Sequence, residues 1–369
     1  MKTIISLLLC VLAFAAQATI FTVSNNPNRP AQYENVTDAI AAADHGDTIY
    51  VHGSQFTYPD FTINKRLVLI GAGYNSNNEF NFATRVNWIR VIKDAGLQDA
   101  SGSVITGFFI TNRLGNGVST HSVNDVILFR NRINVISLWN EGTGTNGFCN
   151  NWHIYNNIIA QISGRWSGSG ATATTLTATN TIIQNNIITG QILDFSSNTI
   201  IIDHNIFFGS NNLDRLFYTV VTNNIFMRTT GNVMTGTVSF NTFNNNFSIL
   251  NTISPTAPTD DFASQSNTAA NNIVPGSNPF TDAPSLGAYS DTANYRIAAA
   301  SQAKDAGTDG TDLGIYGGAF PFPSGGAPGS GYDTSPLPPI PQVTEMNISN
   351  TTIQPGTSLN VNVKARVNN

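Results

Sequence analysis

The feature that most limits what this chain can fold into is a recurring short segment built around an asparagine. FFITNRL, ILFRNRI, HIYNNII, IIQNNII, IIDHNIF and VVTNNIF align on Asn112, Asn131, Asn157, Asn186, Asn205 and Asn224, and the weaker TFNNNFS and TAANNIV continue the series at Asn246 and Asn272. The intervals are 19, 26, 29, 19, 19, 22 and 26 residues. A minimum period of 19 with insertions above it suits a coil closed by three short strands and their turns. An apolar residue stands three positions before the asparagine (Phe109, Leu128, Ile154, Ile183, Ile202 and Val221), and on strands these point to one interior. No repeat can bury that face alone, so the coils must stack into a solenoid. The asparagines are expected at the bends, because Asn tolerates the left-handed conformation, with their amides bonded from coil to coil in a ladder.

Ahead of the repeats, Val36, Ala39, Ile40 and Ala43 fall at i, i+3, i+4 and i+7 and predict an amphipathic helix that stops at Gly46. Such a helix would cap the open end of the solenoid and prevent edge pairing. Short strands are expected after it at 48–51, 61–63 and 67–70. The residue directly after the asparagine is also apolar in Ile158, Ile187, Ile206, Ile225, Phe247 and Ile273. Neighbours on a strand point to opposite faces, so this row lies outside and needs a cover: a long loop, the C-terminal tail or a partner.

The first eighteen residues, MKTIISLLLCVLAFAAQA, have one lysine, an apolar run from Ile4 to Ala16, and Ala16 and Ala18 at the A-x-A positions of a cleavage site. They read as an export signal over 1–18, too short for the roughly 20 residues that span a bilayer. The mature chain is therefore expected to be secreted or at the cell surface, with no membrane span. Cys149 is then its single thiol, so no internal disulfide can form. Charged residues make up 11% of the chain, the net charge is -5, and no basic run or patch is legible, which argues against a nucleic-acid partner. After the solenoid domain at 19–322, residues 323–341 (PSGGAPGSGYDTSPLPPIP) read as a linker. Residues 342–369 hold two alternating runs around QPGTS, a β-hairpin or partial β-sandwich module that could contact a partner or surface.

From Tyr33 through GDTIYVHG and FTINKRLVLIGAG into the NNI coils, the chain resembles secreted bacterial proteins of the pectin-lyase-like superfamily. The resemblance covers about 21–322, and NYRIAAASQAKDAGTDGTDLGIYGG is similar to the closing segment of such proteins. It implies an all-β fold, a right-handed parallel β-helix of three-stranded coils with the helical cap before it and a short C-terminal β segment after it. It also implies an exported, polysaccharide-directed protein that binds a glycan along one face, with lyase or glycoside hydrolase activity open. A non-catalytic adhesin or structural stalk is the alternative, because the superfamily holds both. Pectate-lyase-type members carry calcium-binding aspartates and an outward arginine base, and polygalacturonase-type members carry NTD, DD, GHG and RIK; none of these strings occurs in this chain.

Chemistry has two candidate locations. In NTIIIDHNIFFGS, Asp203 aligns between Gln184 and Thr222, and His204 between Asn185 and Asn223. These columns hold no second acid, whereas a glycosidase needs two carboxylates, so the pair reads first as an outward polar turn. Asp203 is kept as a candidate cation ligand, with calcium the metal. About ten residues before each asparagine lies a second column: His121, then Trp139 and Glu141, Arg165 and Trp166, Asp194, then Asp214 and Arg215. Facing outward on one sheet, these would line a sugar groove. Arg165, Asp194 and Asp214 would be its catalytic groups, and Trp139, Glu141, Trp166, His121 and Arg215 its substrate contacts, since pyranose C–H faces stack on rings and hydroxyls need fixed polar partners. The competing reading places Trp139 and Trp166 in the core and makes Asp214–Arg215 a solvated pair.

Overall fold

The strands that precede the repeat asparagines pair one on the next in register: His153–Tyr155 on Ile182–Gln184, then Ile201–Asp203, then Val220–Thr222. They belong to an eleven-stranded parallel sheet that runs from Ile20–Val23 to Thr268–Ala270. The computed structural model, which describes residues 18–74, 82–96, 98–116, 121–139, 147–165, 171–254, 261–281, 287–291, 293–322, 341–348 and 361–367, is thus a parallel β-solenoid. Strands after the asparagines build a second sheet that turns a corner. Ile187–Ser196 pairs through Ile187 and Ile188 with Ile206–Phe208, and through Ile192 to Ser196 with Leu213–Phe217. A coil therefore has a first, second and third face in chain order, wound in the right-handed sense that parallel crossovers take.

Leu128, Ile154, Ile183, Ile202 and Val221 on the first face and Ile159, Ile188, Phe207 and Phe226 on the second are fully buried in one continuous core. Each such side chain is worth about 1.5–3 kcal/mol of transfer free energy. The ladder of asparagine amides is present, with one correction. The left-handed residue at the corner is the one before the repeat asparagine: Arg130, Asn156, Asn185, His204, Asn223, Asn245 and Asn271 all have φ between 51° and 59°. The repeat asparagine itself turns inward. From Asn131 through Asn157, Asn186, Asn205, Asn224 and Asn246 to Asn272, each Nδ2 lies 3.0–3.1 Å from the next Oδ1. Asn205 Nδ2 also donates to the carbonyls of Ile183 and Asp203, and its Oδ1 accepts from the Asn186 backbone. A buried chain reversal strands backbone groups, and an amide supplies both the donors and the acceptor they need.

Asn112 does not belong to the series. Phe109 pairs with Arg132, so the Phe108 amide, not Asn112, meets Asn131 Oδ1 at 3.0 Å, and the corner is Gly107 with φ +79°. Asn112 is exposed within Phe108–Gly115, Ile105 fills the interior position expected of Phe109, and Phe109 faces outward.

The helix Val36–Ala42 forms as the periodicity predicts, with Asn35 capping the Asp38 amide at 2.9 Å. Val36, Ala39, Ile40 and Ala43 are buried, and the helix packs on the N-terminal strands Ile20–Val23, Thr48–Val51 and Phe61–Ile63. The outer apolar row is covered by the chain that follows the last coil. Phe280, Tyr295, Ala303, Leu313, Ile315 and Phe322 close over Ile158, Ile187, Ile206, Ile225 and Phe247 as a strap. Gly314 permits the close approach: at φ +76° a Cβ there would lie 2.8 Å from Ile225 and 3.1 Å from Ile206. Residues 1–17, where an export signal was expected, and 323–340, where a linker was expected, lie outside the described residues. Pro341–Ile348 pairs antiparallel with Val361–Val367 as a two-stranded hairpin. Among the described residues, no helix is long and apolar enough to cross a membrane.

Candidate functional site

The third face brings Asp194, Asp214 and Arg215 together. Leu193 pairs with Asp214 and Phe195 with Leu216, which sets Asp194 opposite Arg215 in the next coil, both with left-handed backbones. Arg215 Nε and Nη2 lie 2.6 and 3.1 Å from the two oxygens of Asp194, and its Nη1 contacts Asp214 Oδ2. Asp194 is fully buried and also accepts from the Ala171 amide at 2.9 Å. Gly236 makes room for this group, since a Cβ there would lie 2.5 Å from Asp214 Oδ1. Burial pushes the Asp214 carboxyl up, against the pull of Arg215 and with the push of Asp194, to a net rise. The hydrogen bond to Asp194 raises the Arg215 guanidinium in turn.

One guanidinium thus holds both carboxylates that were expected to line an outward groove. Trp139 is buried at 8% exposure, and His121 is exposed, its carbonyl 3.4 Å from Asn116 Nδ2. Arg165 reaches the Leu176 carbonyl at 3.4 Å. Glu141 and Trp166 lie outside the described residues. Asp194 is therefore closed off from an open groove, covered by Arg215 and by the segment that starts at Ala171.

Asp203 and His204 stack between the residues their alignment names, Gln184 and Thr222 for the aspartate. They do not form an outward turn. His204 is 1% exposed beneath the strap. Its Nδ1 lies 2.8 Å from Asp203 Oδ2, and its Nε2 lies 3.3 Å from Thr311 Oγ1 and 3.7 Å from Asp309 Oδ1. Hydroxyl, imidazole and carboxylate follow in the order of a hydrolase triad. The hydroxyl is not activated, however: Thr311 Oγ1 donates to Asp309 at 2.7 Å and accepts from the Gly318 amide at 2.8 Å. Asp203 Oδ1 takes Thr222 Oγ1 and Asn223 Nδ2, each at 2.8 Å, so both of its oxygens are engaged. Burial pushes the Asp309 carboxyl up, but the bonds from Thr311 and the charge of His204 outweigh it and hold the group below the usual range. Among the described residues, no cluster of three His, Cys, Asp or Glu side chains is placed to hold a metal ion. The group is a latch between coil and strap.

A different face brings together charged and aromatic side chains that the alignment concealed. On the outer side of the second sheet, Arg85, Phe109 and Arg132 occupy one row in successive coils. The two guanidiniums stand 5.3 and 5.4 Å from the Phe109 ring, one on each side. Further along these strands Arg90 lies 3.8 Å from the Trp88 ring, and Arg113 lies 5.9 Å from it. A groove of about 270 Å³ opens beside them, lined by Phe109, Thr111, Arg132, Asn134, Ile158 and Thr189. Across its rim Arg132 reaches Asp291 of the strap at 3.4 Å, with both side chains about 40% exposed. No family model matches this chain, and no curated protein matches it. The reading of the site therefore rests on its own groups. Arg85, Phe109 and Arg132 on the second face, with Trp88, Arg90 and Arg113 past the corner of the same strands, offer ionic and stacking contacts to an extended anionic ligand.

Proposed function

We propose that this is an exported protein of the pectin-lyase-like type that binds an acidic polysaccharide on the second face of its coils at Arg85, Phe109 and Arg132, with Trp88, Arg90 and Arg113 past the corner of the same strands extending the contact. One observation carries the reading: the Phe109 ring is flanked by two guanidiniums at the mouth of the groove. A sugar ring stacks on such a phenyl face while its carboxylate is met by arginine, and strands about 4.8 Å apart repeat those contacts along a polymer. Export rests on the sequence of the first eighteen residues, and the superfamily likeness on the coils and their asparagine ladder.

Binding is favoured over cleavage because Asp194 and Asp214 share Arg215, so the pair of free carboxylates that a glycosidase sets on either side of one bond is not offered there. The test is a panel of acidic and neutral polysaccharides offered to the mature protein with and without calcium, scored for retention, for unsaturated products and for new reducing ends. Retention of acidic polymers alone, weakened by Arg132→Ala, supports the proposal. Equal retention of neutral and acidic polymers, or of none, overturns it.

A further inference from the structure

The first sheet presents an outward row, apolar but for His153, which the strap meets only at His153 through Phe320. Val104, Ile127, His153, Ile182, Ile201 and Val220 stand one above another in register. Ile201 is 36% exposed, and beside the end of the row Tyr218 and Phe240 stack at 5.4 Å, 41% and 51% exposed. Both of those rings sit on left-handed backbone, φ 63° and 62°, a conformation bulky residues adopt at a cost. A face of this length is an association surface.

The C-terminal hairpin has a face of the same kind. Met346 pairs with Val363, and Met346, Val361 and Val363 are 59%, 45% and 49% exposed. A two-stranded hairpin is marginal in water unless something covers its apolar side. We propose that the hairpin Pro341–Ile348/Val361–Val367 docks its Met346–Val361–Val363 side on the Ile182–Ile201–Val220 row of its own chain, alongside Tyr218 and Phe240.

Reach and starting point choose this occupant. The strap ends on the first face, where Phe320 packs against His153 at 4.8 Å and Tyr155 at 4.7 Å. His153 is itself a member of the row. Residues 323–340 then join Phe322 to Pro341, and eighteen residues reach at most about 60 Å. Val220 is three coils from His153, about 14 Å at the spacing of paired strands. The hairpin is thus tethered within range of the row, and at high effective concentration.

The test uses the full mature chain with a nitroxide on Asn362→Cys, on the side of the hairpin away from Val361 and Val363, and isotope-labelled isoleucine methyl groups. Cys149 is buried and is left in place. Docking predicts strong broadening of the Ile182 and Ile201 methyl signals, while Ile49 and Ile63 at the far end stay sharp. Ile201→Asp should restore the Ile182 signal without disturbing core methyls such as Ile133 and Ile159. Unbroadened Ile182 and Ile201 would overturn the proposal. So would equal broadening when labelled and spin-labelled chains are separate molecules, because that outcome assigns the row to a second copy.

Discussion

His204 and Thr311 stand 107 residues apart in sequence, yet the imidazole Nε2 lies 3.3 Å from the threonine hydroxyl. This contact ties the strap to the fourth asparagine corner, at Asn205. Gly317 and Gly318 close on the ring so tightly that a Cβ at either would lie 2.7 or 2.9 Å from it. His204→Ala leaves the engaged Asp203 carboxylate without its ring partner and opens a gap under the strap. It should cost about 2–4 kcal/mol and make residues near 305–318 more sensitive to protease than the coils. Thermal unfolding and limited proteolysis check this; unchanged cleavage within the strap contradicts it.

An interior rung of the asparagine ladder should matter more than any surface polar contact. Asn205→Ala leaves the Ile183 and Asp203 carbonyls and the Asn186 amide without their side-chain partner, and each buried orphan costs about 1–3 kcal/mol. Asn112→Ala, on the exposed side of its strand, should stay within about 0.5 kcal/mol of the parent chain. Urea unfolding of both variants measures the contrast. Similar losses would remove Asn205 from its special place.

Arg215→Gln strips the charge partner from Asp194, which is fully buried, and from Asp214. It should cost about 3–5 kcal/mol near neutral pH, the usual penalty for breaking a buried ion pair from one side. Lowering the pH should restore part of that loss by protonating Asp214, whose carboxyl burial already pushes up. A variant as stable as the parent at neutral pH would show that the triad contributes nothing.

Two aspartates should give opposite pH slopes. The folded-state value of Asp309 lies below 3.8, so its contribution is present above that pH and is lost as the pH falls through the folded value. The stability deficit of Asp309→Asn should therefore shrink in acid. The folded-state value of Asp214 lies above 3.8, so its contribution is present below that pH and is lost as the pH rises through the folded value. The deficit of Asp214→Asn should shrink toward neutral pH. Urea midpoints across the acid range read both signs.

The repeat was legible from Asn131 onward because one residue type, buried in every coil, is held there by backbone groups that only an amide satisfies. Asn112 mimicked the pattern from the exposed middle of a strand, and that single misalignment put Phe109 inside. Arg85, Arg90, Arg113 and Arg132 are scattered along the sequence and become a patch only when correct register stacks their coils. The outer row's need for a cover could be read from strand alternation, but the identity of the strap could not, since nothing local to Leu313 or Ile315 names its distant partners. Asp203 and His204 looked solvent-facing because their neighbours in sequence and in the coil are polar. The residues that bury them, Thr311, Gly317 and Gly318, come from the strap.

The acidic-polymer face is tested most directly by titrating a uronic-acid polymer into the mature protein and into an Arg85→Ala/Arg132→Ala double variant, at low and at high salt. Both residues lie on the outer side of the sheet, so the variant should unfold at the parent temperature. The expected result is measurable binding by the parent that weakens with salt, and a loss of roughly tenfold or more in the double variant. Equal affinity of parent and double variant, with no response to salt, would contradict the account.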